Sequence, residues 1–297
     1  MSTLLERLRL RAVVLDAMRG FFASRGYLAV ETPVRVPAPA LELHIDAPPS
    51  GSAFLRTSPE LHLKRLLGLG ADRVFELGPC FREGERGARH LPEFTMLEWC
   101  RTHATYQDLM TETEALFAAV WEAARGCVAF TPPAMDVRAP WPRWTVRDTF
   151  LTLAGWDPVA HWDADRFDLD LVGKVEPQLP RDRPLILMDY PVEAAALARC
   201  RMGPPAVAER WELYAGGMEL ANAFGELTDA AEQRRRFAQC ARARAALGKT
   251  VYPMDEAFLA ALERGLPPCA GIALGVDRLI MLLTGSARID DVRAFVA

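Results

Sequence analysis

Apolar side chains along residues 4 to 24 fall at Leu10, Val13, Val14, Met18, Phe21 and Phe22, the spacing of one helical face, and Gly26 stands where a C-terminal cap belongs. YLAVETPV then reads as a short strand stopped by Pro33, and the segment 34 to 53, rich in proline and small residues, as a loop. SPELHLKRLLGLG predicts a helix capped by Ser58 with Pro59 in its first turn. RVFEL and EFTMLEW alternate like strands, and a helical pattern covers 106 to 124. Residues 126 to 205 carry a helix near 145 to 154 and a strand at PLILMDYP among many prolines and tryptophans. RWELYAGGMELANAFGEL predicts a long strand pair, and DAAEQRRRFAQCARARAAL a polar helix with a solvated arginine face. CAGIALGVDRLIMLLTG predicts a strand that passes through Gly275 into a helix. Strands joined by long excursions, with helices gathered elsewhere, predict an α+β fold with a mainly antiparallel sheet flanked by helices.

Composition narrows the function classes. With 297 residues and 51% hydrophobic content the chain can bury a large core, and its formal charge of −4 comes without a long basic run of the kind that marks nucleic-acid proteins. No apolar stretch approaches the roughly 18 residues of a membrane span. The N-terminus, MSTLLERLRLRAVV, has an amphipathic helical pattern rather than that of a signal peptide, so a cytoplasmic location is expected. The cysteines at Cys80, Cys100, Cys127, Cys200, Cys240 and Cys269 form no CxxC pair, which supports neither a zinc site nor a disulfide framework.

The densest chemistry lies in FREGERGARHLPEFTMLEWC, residues 81 to 100. Strict alternation sets Phe94, Met96, Glu98 and Cys100 on one face and Thr95, Leu97 and Trp99 on the other. Phe94 and Glu98 then stand about 13 Å apart, a separation that suits a ligand with a flat end and a cationic end. Arg82, Arg86, Arg89 and His90 offer donors to phosphate oxygens, and an arginine fork meets such oxygens with two hydrogen bonds. A salt-bridged hairpin would carry a similar pattern. Gly275 allows close backbone approach, and Arg278, about a turn later, can point back over the same sheet face as a second cation.

ETP, FRxGERGxRHxPEFTMLEW and GxALGVDRL resemble, in order and spacing, motifs one, two and three of the class II aminoacyl-tRNA synthetases. TSPELHLKRLL, DYPVEAAALAR and ELANAFGELTDAAEQ are similar to the lysine-specific branch. The resemblance implies one class II catalytic domain over residues 1–297, beginning at the first-motif helix without an anticodon-binding domain. In that respect the chain is similar to the stand-alone paralogues that attach lysine or β-lysine to a lysine of elongation factor P, and Ala273, where true lysyl-tRNA synthetases usually carry glycine, points the same way. It further implies ATP and magnesium as cofactors, elongation factor P rather than tRNA as acceptor, and a two-fold homodimer through residues 5 to 35.

Carried over position by position, Arg82 resembles the arginine that binds the α-phosphate and the substrate carboxylate. Arg89 and His90 match the loop that grips the outer phosphates, Phe94 the adenine platform, and Arg278 the arginine that closes over the nucleotide. Glu212 and Glu219 fall on the two magnesium carboxylates, while Glu60, Glu98, Cys100, Asn222, Glu226 and Ala273 line the implied amino-acid pocket. The chain departs from the pattern at Cys100, where a tyrosine is common, at Leu91 in place of asparagine, and at Gly84 in place of glutamate. Alternation also sends Glu219 to the face opposite Asn222, Phe224 and Glu226, so a bulge is required if all four are to meet one ligand. A minimal lysyl-tRNA synthetase, another free-standing amino-acid-adenylating enzyme and a non-catalytic lysine-binding paralogue are the competing readings.

Overall fold

The structure, a computed structural model, describes residues 2–296. Helix α1 (Leu4–Ala23) starts at a capping box in which the Thr3 hydroxyl accepts from the Glu6 amide and the Glu6 carboxylate accepts from the Thr3 amide at 2.7 Å. It buries Leu10, Val14, Met18, Phe21 and Phe22, whereas Val13 is exposed, so its buried stripe is narrower than the periodicity predicts. Gly26 ends this unit with φ +73°, a conformation that favours glycine.

Four short strands follow: β1 (Leu28–Ala29), β2 (Arg35–Val36), β3 (Pro49–Ser50) and β4 (Ala53–Leu55). The last three form a small sheet in the order β2-β4-β3, so the proline-rich segment is not wholly loop. Helix α2 (Glu60–Gly68) has its first amide bonded to the Ser58 hydroxyl at 3.0 Å, but Pro59 lies just before the first turn rather than inside it. Strands β5 (Arg73–Phe81) and β6 (Glu93–Thr102) lead to α3 (Tyr106–Ala124). The middle of the chain supplies β7 (Arg143–Thr145), α4 (Val146–Leu153), α5 (Ala164–Asp170), β8 (Leu185–Tyr190) and β9 (Cys200–Arg201). The hairpin β10 (Val207–Ala215) and β11 (Met218–Gly225), then α6 (Ala230–Ala246), α7 (Glu256–Glu263), β12 (Cys269–Gly275) and α8 (Val276–Thr284) complete it.

The nine-stranded sheet runs β1-β5-β6-β12-β11-β10-β8-β7, with β9 paired to β10. Its pairs are antiparallel except at the two ends, where β1/β5 and β7/β8 run parallel, which agrees with the α+β expectation. Alternation gives this sheet two chemically distinct faces. Phe75, Leu97, Trp99, Trp211, Leu213, Ile272 and Leu274 bury one face against α1, α3 and α8. Each large side chain removed from water there contributes about 1.5–3 kcal/mol. The other face carries the polar residues of the alternation and forms the floor of a cavity. Among the described residues no helix is long and apolar enough to cross a membrane.

Candidate functional site

Strand register assembles the site. Glu98 on β6 pairs with Ala273 on β12, Ala273 with Asn222 on β11, and Asn222 with Glu212 on β10, so one polar row crosses four adjacent strands. The next row is Cys100, Gly271, Phe224 and Arg210. The β10/β11 register shifts where Leu213 faces Ala221 and Tyr214 faces Glu219, leaving Leu220 as the extra residue. This is the bulge that the alternation requires, and it turns Glu219 toward the same cavity as Asn222 and Glu226.

The cavity holds about 1210 Å³ and is lined by Glu60, Arg82, Arg89, His90, Phe94, Glu98, Cys100, Glu212, Glu219, Asn222, Glu226, Ala273 and Arg278, the candidates read from the sequence with the exception of Arg86, which does not line it. At one end the Arg82 guanidinium lies 5.2 Å from the centre of the half-buried Phe94 ring. Its nearest carboxylate, Glu85, is 3.7 Å away, and its buried Nε has no hydrogen-bond acceptor. Arg278 spans the mouth: it donates to the Glu219 carbonyl at 2.9 Å and carboxylate at 3.2 Å, and lies 2.5 Å from His90 Nε2. Arg89 is turned aside toward the Gly217 carbonyl at 2.8 Å, which ties the charged loop to the β10/β11 hairpin. Two departures from the family pattern acquire reasons here. Gly84 takes φ +74° in the loop turn, and Leu91 is buried in the main core, anchoring the far end of the loop.

The other end is acidic and buried. Glu98 and Glu226 are 3% and 1% exposed, and Ser58 donates to Glu98 at 2.6 Å. The sequence reading missed Lys64, whose fully buried ammonium lies 2.5 Å from both Glu60 and Glu226. Glu226 Oε2 is in ion-pair contact with Lys64 yet lacks a well-directed hydrogen bond. The spacing of Glu60 and Lys64, one helical turn apart on α2, was the signal for this pair. Burial pushes Glu98 up to about 8, with repulsion from Glu60 adding to it. Burial also lifts Glu226 to about 8 against the pull of Lys64. Such a site is short of positive charge, and a ligand with ammonium groups would supply it. Burial holds the Cys100 thiol well above its ordinary range, so it stays a neutral wall residue rather than a nucleophile.

Between the two ends, Glu212 accepts from the Tyr190 hydroxyl at 2.6 Å, the Tyr214 hydroxyl at 2.8 Å and Arg210 at 2.6 Å. Arg210 also donates to Asn222 Oδ1 at 3.3 Å and lies over the Tyr190 ring at 4.4 Å. These partners were not legible beforehand, because β8 meets β10 only through the sheet. The Thr32 of ETP is likewise placed by tertiary contacts. Its hydroxyl and amide donate to Glu76, which pairs with the buried Arg56 at 2.5 Å.

Two expectations follow from this geometry. A Cβ on Gly271 would collide with Glu226 Oε1 and reach 2.7 Å from Cys100 Sγ, so Gly271→Ala is expected to raise the amino-acid KM at least tenfold and to cost about 1–3 kcal/mol of stability. Amino-acid titrations at fixed ATP, with urea unfolding, measure both. The second concerns pH. Because Glu98 and Glu226 are raised to about 8, an ammonium ligand must first displace protons below that pH. Affinity is therefore expected to rise by about tenfold per pH unit per group from pH 6 toward 8, then level off. The folded carboxyls hold protons more tightly than unfolded ones, so unliganded stability declines as pH rises from the ordinary carboxylate range toward 8. A diammonium ligand should accordingly raise the melting temperature more at pH 8.5 than at pH 6.5. An equal shift at both would sink this electrostatic account.

Comparison with known proteins agrees with the geometry. The family model described as tRNA synthetases class II (D, K and N) matches residues 2–297. The elongation factor P (R)-β-lysine ligase of Proteus mirabilis is 39% identical, over 99% of this chain and 96% of that protein. That of Pectobacterium atrosepticum is 40% identical over 96% and 93%. The lysine–tRNA ligase of Anaeromyxobacter dehalogenans (strain 2CP-C) is 39% identical over 96% of this chain, which spans only 64% of that protein. With a family match across nearly its whole length, the chain belongs to the class II tRNA synthetases of the D, K and N group.

Proposed function

We propose that this chain activates lysine or β-lysine with ATP as an acyl-adenylate and transfers the acyl group to a lysine side chain of elongation factor P. The observation that carries the reading is a single cavity with arginines and an aromatic face at one end and buried, proton-hungry carboxylates at the other. The relatives of matching length, named for ligation to elongation factor P, support the acceptor. In this reading the chain acts as one catalytic unit, as a homodimer through residues 5 to 35, in the cytoplasm.

In the first step an oxygen of the amino-acid carboxylate attacks the α-phosphorus in line, and pyrophosphate leaves with the electrons of the broken P–O bond. In the second, the deprotonated acceptor amine attacks the acyl carbon, AMP leaves, and an amide forms. Arg82 would bridge the reacting carboxylate and the α-phosphate, stabilising charge as it develops. Phe94 and Arg278 would sandwich the adenine, while Arg89 and His90 would hold the outer phosphates. Glu60, Glu98, Asn222 and Glu226 would hold the amino acid by its ammonium groups, against Cys100 and Ala273, which gains orientation over free solution.

Magnesium fits Glu212 and Glu219. Burial raises Glu219, and the neighbouring charge of Glu212 raises it further, a repulsion that a divalent cation would relieve. Among the described residues there is no cluster of three or more metal-ligating side chains, and magnesium commonly takes one or two carboxylates plus phosphate oxygens. When bound it would neutralise charge on the outer phosphates.

Transfer to tRNA is the second reading, favoured by the similar identity to a lysine–tRNA ligase. Lysine- or β-lysine-dependent exchange of pyrophosphate into ATP tests activation, which a non-catalytic paralogue cannot perform. Transfer of labelled amino acid to elongation factor P beside tRNA then decides the acceptor: label on the protein is expected, and label on tRNA alone would replace this reading with the second.

A further inference from the structure

Counting charges at the acidic end shows an acceptor with no assigned partner. Lys64 already occupies Glu60 and Glu226, and Ser58 occupies Glu98. A fourth acid, Glu42, lines the same cavity, and its side-chain carboxylate forms no hydrogen bond or ion pair with a described residue. Burial raises it to about 7, and its strongest charged neighbours are Arg82, which attracts, and Glu60, which repels.

The segment that carries Glu42, a strap of residues 41–47 along the cavity wall, is held firmly. Arg244 of α6, fully buried, donates to the carbonyls of Glu42 at 2.6 Å and Ile45 at 3.0 Å, and pairs with Asp46 at 2.5 Å. The same guanidinium donates to the Thr250 carbonyl at 2.7 Å and lies over the Tyr252 ring at 4.4 Å. Tyr252 in turn accepts from the Ala47 amide at 2.7 Å, and Lys249 reaches Asp46 at 2.9 Å. Leu41 is buried in the core that includes Phe237 of α6. Backbone held in this way does not swing out to solvent, so Glu42 stays on the cavity wall.

We propose that Glu42 is a specificity-determining residue for the amino group nearest the reacting carboxylate, taking it from the strap side while Glu60 faces it from α2. The Glu83 amide bonds the Asp46 carbonyl at 2.7 Å, so the segment that carries Glu42 runs beside Arg82, the carboxylate end of the amino acid in this reading, whereas Glu226 would hold the terminal ammonium. The inference rests on the adenylation reading above. It assigns the inner amino group to a side chain outside the three motifs, on a segment whose sequence carries no motif of its own.

The test uses the full chain in pyrophosphate exchange driven by lysine or β-lysine, with two analogues as competitive inhibitors. Norleucine lacks the terminal amino group and 6-aminohexanoate lacks the inner one. Glu42→Gln is expected to raise the KM for the amino acid and the inhibition constant of norleucine at least tenfold, to leave that of 6-aminohexanoate within twofold, and to leave the ATP KM unchanged. Glu42→Asp should recover part of the loss, and matching unfolding curves show that the strap is intact. Equal weakening of both analogues, or no change in either with the wild-type enzyme active, overturns the proposal. Absence of exchange in the wild-type enzyme overturns the adenylation reading, and this inference with it.

Discussion

Arg82→Ala is expected to lower amino-acid-dependent pyrophosphate exchange by about 10²–10³-fold, the scale for removing one positioned charge donor from a developing anion. The side chain is built for a ligand rather than for the fold. Its Nε is buried without an acceptor, its carboxylate neighbour Glu85 is 3.7 Å away, and Phe94 lies against its guanidinium at 5.2 Å. Stability should therefore change by less than about 1 kcal/mol, since a half-open ion pair of that length contributes little. The loss should fall on kcat more than on either KM, because the proposed contact to the α-phosphate would strengthen as charge builds on it. Retained exchange with a normal kcat would remove Arg82 from the reacting centre.

Lys64→Met carries the largest expected effect on stability. Removing the shared cation leaves Glu60 and the 1% exposed Glu226 without their counter-ion, and breaking a buried pair from one side costs about 3–5 kcal/mol. The cost should grow with pH. Glu226 can escape by taking a proton, more readily without the pull of Lys64 that holds it down to about 8, so urea unfolding at pH 6 should show a smaller loss than at pH 9. The double variant Lys64→Met with Glu226→Gln should regain much of the stability but little of the activation, since the acid proposed to hold the terminal ammonium is gone. A midpoint unchanged at pH 9 in the single variant would show that Lys64 is not the counter-ion of this pocket.

Several site features were legible because they are local. Helical spacing located α1, α2, α3 and α6, and alternation set Phe94, Met96, Glu98 and Cys100 on the ligand face with Leu97 and Trp99 in the core. The need for a bulge before Asn222 followed from the same period of two, and the register shift beside Leu220 supplies it. Less visible were partners joined only through packing. Lys64 could be seen as a helix neighbour of Glu60, but its second bond to Glu226 depends on α2 lying beside the end of β11. Arg210, Tyr190 and Tyr214 converge on Glu212 because β8, β10 and β11 are adjacent, and no spacing along the chain encodes that.

By itself the sequence determined which residue types face the cavity and in what order along each strand, since side-chain direction follows from a backbone period that every strand obeys. Only the tertiary structure decided which of those residues share a charge: that Lys64 binds two acids, that Arg244 holds Glu42 over the cavity, and that burial raises Glu98 and Glu226 to about 8. The reason is physical. Direction is a property of the local backbone, whereas a proton's affinity depends on every charge and every excluded water within several ångströms, whatever their distance in sequence.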